Sequence, residues 1–487
     1  MTKRIGLSAV LTVVVLVGMG VVPLTAQGNL EYPEPRYPQL RNVKTAEDLL
    51  DIARAVVRRP SRGASLYPGY GIKPGQRALI VVDSSHDRLV VEAIEMAIRE
   101  AGGKPDVFYI DYESFYPPMK PADGTAETEY FTFLADNVMR SKIFVAQMVN
   151  AVGEYDIIIH GSGGADPEVD VLWEKLPWQT VDAFLTGTVE FPPDLAEAID
   201  LKLWEMLLKA RKVRITDPEG TDISWTVQEG DQEKAMERSN SDVVYRGHIM
   251  AHPPLDLKHA LDVKGVIAGT SNHAGVFPRI KVYIENNEIT EIEAGGAYGE
   301  NWKSILNKYK DIQWPGSPGP GMGWLYEVAI GTNPKAARPA NVMHESRRIW
   351  SWERARTGII HWGIGVVGGA LPGGRVQQWA AQRNLPDGHF HIHTYFTTFE
   401  IETEDGEKIK VIDKGHLTAL DDPEIRKLAA QYGDPDELLQ EAWIPAVPGI
   451  NVEGDYFRDY ANNPAPWITN EHEQAYGDWL RAFGITQ

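Results

Sequence analysis

Ten of the thirteen histidines lie between His248 and His416, and the densest group is the run Gly388-His389-Phe390-His391-Ile392-His393. In a strand, side chains two apart share a face. His389, His391 and His393 would therefore project one way while Phe390 and Ile392 enter a core. Two imidazoles so placed can hold one ion, which needs neutral nitrogen donors about 2.1 Å from the metal. The competing use of such a face is as an exposed polar surface.

Two other segments could complete a ligand set. Thr357-Gly358-Ile359-Ile360-His361-Trp362-Gly363-Ile364-Gly365 is an apolar strand with one histidine; taken alone, that residue is more often a satisfied core histidine than a ligand. In Leu325-Tyr326-Glu327-Val328-Ala329-Ile330-Gly331-Thr332-Asn333-Pro334, Glu327 opens an apolar run. A carboxylate there needs a partner, because burying a bare charge is costly. A metal would supply one.

The elements that must position these residues fall into two patterns. From Gly71 the chain alternates strands and helices: strand Ala78–Val82, helix Asp87–Ala101 stopped by Gly102-Gly103, strand Val107–Ile110, a helix around Glu127–Met139, and strand Tyr155–His160. That alternation predicts an α/β domain over 45–212 with a doubly wound parallel sheet. The glycine run Gly161-Ser162-Gly163-Gly164 reads as a turn at a strand end, since the full dinucleotide-binding spacing is missing. After a helix near Leu195–Lys212 the pattern becomes short alternating strands: Val213–Thr216, the turn Asp217-Pro218-Glu219-Gly220, Ile223–Val227, and a hairpin of Ile280–Glu285 with Ile289–Glu293 through Asn286-Asn287-Glu288. A second, strand-rich α+β domain over 213–400 would carry the metal site. The Pro/Gly loop 313–323 belongs at a surface or over a cleft. Residues 28–44, proline-rich, read as an extended arm laid over the surface. The aromatic-rich stretch 401–487 reads as an extension packed on the second domain, an extra lobe or a dimer contact.

Bulk properties narrow the setting. Lys3 and Arg4 precede an uncharged apolar run from Ile5 to Val22 and then Pro23-Leu24-Thr25-Ala26-Gln27. This predicts a signal peptide over 1–27, cut near Ala26 or Gln27, and a soluble periplasmic or secreted product. The chain has no cysteine, so its stability must come from a core, to which a metal could add, rather than from disulfides. Losing Lys3 and Arg4 takes the net charge from −20 to −22, which repels nucleic acid and anionic lipid.

The run from Gly71 to Pro105, the turn Thr216–Asp222, the YEVAIGTNP and TGIIHWGIG segments and the HIH strand occur in this order over roughly 45–400. In this the chain resembles the aminopeptidase T family of metallopeptidases. The resemblance implies an N-terminal α/β domain, a C-terminal domain with the active cleft, a homodimer, and a two-metal site that releases N-terminal residues from peptides. By motif match, Glu327, His361 and His391 fall on metal-ligand positions. Three positions depart from the family. A ligating Glu after glycine is replaced in Gly247-His248, a His-x-Asp pair becomes His391-Ile392-His393, and a ligating tyrosine becomes Gly368. These changes exchange hard oxygen donors for imidazole, which suits zinc, iron, copper or nickel. HIH with Glu400 downstream also looks like a cupin's first motif, but the spacing is too long and the second motif is absent.

The leading expectation is an exported metal-dependent hydrolase acting on a small peptide. His248, Glu327, His361, His391 and His393 would hold zinc, cobalt or manganese, and Glu345 would be the general base. A mononuclear non-haem iron ring-cleaving dioxygenase would use the same residues around one ion; some relatives of the peptidases cleave hydroxypyridine rings. A noncatalytic exported binding protein would keep the fold without the chemistry.

Overall fold

The computed structural model describes residues 31–61, 68–83, 86–110, 154–161, 171–178, 180–241, 247–252, 262–272, 275–338, 353–366, 376, 379–380, 382–386 and 389–467. The expected signal peptide, the helix around 127–139 and glycines 163 and 164 fall outside these residues. Among the described residues, no helix is long and apolar enough to cross a membrane.

The fold is mixed α/β, with a parallel sheet and a larger antiparallel one. The parallel sheet contains β1 (Arg77–Asp83), β2 (Lys104–Ile110), β3 (Ile157–His160) and β4 (Leu172–Lys175), in the order β2-β1-β3-β4. The central run of β1, Ala78 to Val82, is buried throughout, as a strand covered on both faces requires. The helix that follows, Arg88–Glu100, starts where the Asp87 carboxylate accepts from the Leu89 amide, and it buries Val90, Ile94, Ala97 and Ile98 along one side. It stops at Gly102, whose φ of +83° lets the chain turn back and donate to the Arg99 carbonyl.

The second sheet is built from β5 (Lys212–Thr216), β6 (Asp222–Thr226), β7 (His248–His252), β8 (Lys264–Asn272), β9 (Gly275–Glu285), β10 (Glu288–Ala294), β11 (Leu325–Gly331), β12 (Ile360–Gly365), β13 (His389–Thr394), β14 (Thr398–Glu402), β15 (Lys408–Asp413) and β16 (His416–Leu417). Its order is β16-β15-β14-β5-β6-β8-β13-β12-β11-β7, with β9 joining β8 to β10. The β9–β10 hairpin turns on Asn286 and Asn287, with φ of 54° and 68°. Asparagine tolerates that left-handed conformation, and two such residues give the turn whose twist suits a tight hairpin. One hydrophobic core, from Val43 to Leu439, draws on both sheets.

The stretch beyond Glu400 is partly an extension of this sheet. β15 and β16 lie at its edge, next to β14 and β5. Farther on, Trp443, Ile444, Val447, Ile450, Tyr456 and Tyr460 form a separate core with Ile359, Tyr395 and Phe396. The N-terminal arm packs there: Tyr32 and Tyr37 lie against this cluster, and Arg36 bridges to Ile444 in β fashion. In the loop 313–323, Trp314 and Met322 are buried against Val366, just past β12.

Candidate metal centre

Strand pairing brings the candidates to one face of the sheet. In the register of β11, β12 and β13, Glu327 lies opposite Gly363 and Gly363 opposite His391; one row along, Ala329, His361 and His393 are aligned. His248, on β7, lies opposite Gly331. The alternate residues Val328, Ile330, Ile360, Trp362, Ile364, Phe390 and Ile392 enter the core, as the period of two demands. The histidine face is no solvated surface: His248, His361, His391 and His393 are each at most 2% exposed. The His389 side chain, Glu345 and Gly368 fall outside what is described.

Local structure fixes these positions. Asp200, buried on the helix Pro193–Leu207, accepts from the Gly247 amide at 3.0 Å and from the Thr332 hydroxyl at 2.6 Å. It thus ties together the ends of β7 and β11, beside His248. Gly247 takes a φ of +81°, which a side chain would oppose. Tyr298, on the helix Gly296–Tyr309, donates its hydroxyl to the His391 carbonyl at 3.0 Å and accepts from the His391 amide at 3.1 Å. A bulge between Leu325 and Glu327 interrupts the β11 ladder. Such bulges re-aim side chains. Gly363 leaves the space between Glu327 and His391 open: a Cβ there would come within 2.8 Å of Glu327 Cβ and Oε2 and 3.2 Å of the Tyr326 hydroxyl.

His248, Glu327 and His361 form a group whose ligand atoms all lie within 4.8 Å of one another. His361 Nε2 and Glu327 Oε2 are 3.4 Å apart. Two donors bonded to a tetrahedral ion at about 2.1 Å are themselves about 3.4 Å apart. The buried Nε2 of His248 has no hydrogen-bond partner among the described residues. An imidazole nitrogen in that state costs desolvation without return unless something electrophilic meets it. His391 stands beside the group, its ring centroid 4.4 Å from that of His361.

The electrostatics suit a cation. Burial, aided by the Arg354 guanidinium, pushes His248 down to about 3. Burial and the neighbouring His391 hold His361 well below the usual imidazole range. Burial does the same to His391, against the pull of Glu327. All three are neutral donors at pH 7, the form a metal needs. The residues present therefore fit a divalent ion.

His393 departs from expectation. Predicted as a ligand, it has both ring nitrogens engaged elsewhere: Nδ1 with Glu353 Oε1 at 2.5 Å and Nε2 with His361 Nδ1 at 3.1 Å. It stands behind His361 rather than beside it. Sequence reasoning missed Glu353, Arg338 and Tyr395, which complete that arrangement. Arg338 Nε donates to Glu353 Oε2 at 2.6 Å, and the Tyr395 hydroxyl donates to Glu353 Oε1 at 2.8 Å. Burial pushes the Glu353 carboxyl up, but the Arg338 charge and the His393 hydrogen bond outweigh it and hold it at about 2.

No protein-family model matches the chain, and no curated protein does. Among solved structures, it is similar to 2,5-dihydroxypyridine dioxygenase from Pseudomonas putida KT2440, at 13% identity over 77% of this chain and 98% of that one, with a TM-score of 0.44. It is also similar to wild-type AmpT from Thermus thermophilus, at 14% identity over 76% of this chain and 99% of that one, with a TM-score of 0.41.

Proposed function

We propose that the chain is an exported metal-dependent hydrolase, working as a homodimer, that releases N-terminal residues from small peptides at a centre held by His248, Glu327 and His361, with His391 adjoining. The observation that carries this reading is the convergence of two neutral imidazoles and one carboxylate on a single buried point. Two histidines and a glutamate also form the ligand set of hydrolytic zinc sites. Bound there, zinc, cobalt or manganese would bring the pKa of its water toward 7 and polarise a carbonyl.

The chain's own residues would do the rest. Glu327 supplies the negative charge that balances the ion. The imidazoles, kept neutral by burial, add donors without adding charge. Glu345 is the proposed proton acceptor, carried by the segment between Arg338 and Glu353. Replacing it with glutamine should lower kcat by roughly 10²- to 10⁴-fold while the metal content stays unchanged. The direct test is release of a chromophore from aminoacyl anilides by zinc-, cobalt- or manganese-loaded protein; no turnover with any of the three would defeat the hydrolase reading.

A second reading rests on the same donors. Two histidines and one carboxylate with open positions are also the set of mononuclear iron oxygenases. Oxygen uptake by iron-loaded protein on hydroxylated aromatic rings, without anilide hydrolysis, would select it.

A further inference from the structure

We infer that Asp200 is a positioning residue for the metal centre: from a helix outside the antiparallel sheet, it fixes where β7 places His248. This rests on the metal reading above and concerns how the chain holds one ligand for the ion.

His248 needs such a hold. It is the first residue of β7, a five-residue strand at the end of the sheet, next to β11. An edge strand is paired along one side, and element ends are where local opening starts. The neighbouring histidines are fastened by side chains. His361 Nδ1 meets His393 Nε2 at 3.1 Å, and Tyr298 engages both the amide and the carbonyl of His391. The buried Nε2 of His248 has no hydrogen-bond partner among the described residues, and its ring meets His361 edge-on with centroids 5.1 Å apart. The placement of that nitrogen is therefore left to the backbone.

Asp200 closes a ring of hydrogen bonds around that backbone. Its Oδ2 accepts from the Gly247 amide at 3.0 Å and its Oδ1 from the Thr332 hydroxyl at 2.6 Å. The Thr332 amide in turn donates to the Gly247 carbonyl at 3.2 Å. Gly247 is thus held through both its N–H and its C=O, with the φ of +81° from which the chain enters β7. Glycine makes that conformation accessible without selecting it. The ring selects it. Gly331, next to Thr332, is the residue paired with His248, so the same ring sets the register of β7 against the strand that carries Glu327. A slip of one residue would turn His248 to the opposite face and bring Ile249 to the metal side.

The setting of Asp200 shows what its carboxyl adds. It lies on the side of its helix that buries Ile199, Leu203 and Trp204 in the core. A leucine of similar volume would pack there without the cost of burying a polar group. What leucine lacks is direction: two acceptor oxygens, each aimed at one strand end. Groups that orient the ligands in this way are the usual outer layer of metal sites.

The test compares variants of the full chain by zinc competition titration and by the visible spectrum of cobalt-loaded protein, which reports ligand geometry. Asp200→Leu should bind zinc roughly 10- to 100-fold more weakly than wild type, with a shifted cobalt spectrum. Asp200→Asn keeps an acceptor for the Gly247 amide and can donate to the Thr332 hydroxyl, so zinc affinity should be largely rescued. Ile199→Ala removes core packing from the same helix and leaves the ring intact. It should lower stability in urea and leave zinc affinity and the cobalt spectrum as in wild type. Wild-type affinity and spectrum in a folded Asp200→Leu protein would overturn the inference, and so would losses as large in Asp200→Asn or Ile199→Ala. If Asp200→Leu does not fold, Thr332→Val removes one arm of the ring instead; weaker zinc binding is expected, and unchanged binding would overturn the inference. Wild type that binds neither zinc nor cobalt would defeat the metal reading itself.

Discussion

Glu327 Oε2 and His361 Nε2 face each other across 3.4 Å, with Gly363 packed against the Glu327 side chain. That separation is close to the one between two donors bonded to the same tetrahedral ion.

Replacing Glu327 with glutamine should remove a charged donor from the group that His248, Glu327 and His361 form. The stabilisation by added zinc should vanish; at a hundredfold excess over Kd it is worth about 2.7 kcal/mol in wild type. Thermal melts with and without zinc decide this. An undiminished zinc response in Glu327→Gln would remove Glu327 from the centre.

Gly363→Ala probes that packing. The added methyl would come within 2.8 Å of Glu327 Cβ and Oε2, so the carboxylate must move. Zinc affinity should fall at least about tenfold, or about 1.4 kcal/mol. Titration in a chelator-competition assay reads the effect, and affinity equal to wild type would show that this space does not belong to the site.

Trp443 connects the C-terminal cluster to the buried charges. It is 2% exposed and lies under both Arg338 and Arg356, with 4.8 and 5.9 Å from ring centroid to guanidinium carbon. Trp443→Ala should cost about 3–5 kcal/mol in urea unfolding. A loss below about 1 kcal/mol would mean that the cluster contributes little to holding the fold.

Stability should also depend on pH through Asp217 and Glu219. Asp217 accepts from the Phe396 amide at 3.2 Å, and Glu219 accepts from the Tyr456 hydroxyl at 2.8 Å and the Thr270 hydroxyl at 3.1 Å. Burial pushes both carboxyls far above their ordinary range, and for Glu219 the charge of Asp217 adds to it. A carboxyl whose folded pKa exceeds its unfolded one holds its proton more tightly in the folded chain. Its stabilising contribution is complete below about pH 4 and is lost as pH rises through the folded value. His416, raised to about 9 chiefly by its hydrogen bond to Glu441, loses its contribution between about pH 6.5 and 9, so wild type alone cannot separate the two. The wild-type decline in unfolding free energy from pH 5 to 8 should exceed that of Asp217→Asn/Glu219→Gln by at least about 1 kcal/mol. Parallel curves would exclude the pair as the source.

Much of the site was legible in the sequence, because strand periodicity decides which residues share a face. The alternation in His389–His393 correctly puts Phe390 and Ile392 in the core and His391 and His393 on the opposite face. Periodicity says nothing about which neighbour a side chain meets there. That is why His393 reads as a ligand although it spans from Glu353 to His361. Arg338 and Glu353 lie in irregular segments without a repeating apolar pattern, and their meeting depends on chain closure over fifteen residues. The run Lys408–Asp413 alternates like a strand, but its place beside β14 follows from a pairing that only the sheet reveals.

The most direct test of the metal centre is the number and identity of divalent ions per chain in protein purified without chelator, measured beside His361→Ala. The account predicts one ion per wild-type chain and close to none in the variant. Zinc, cobalt or manganese would point to the hydrolase and iron to the oxygenase. Wild type that stays metal-free when these ions are supplied, or a folded His361→Ala that keeps its full complement, would contradict it.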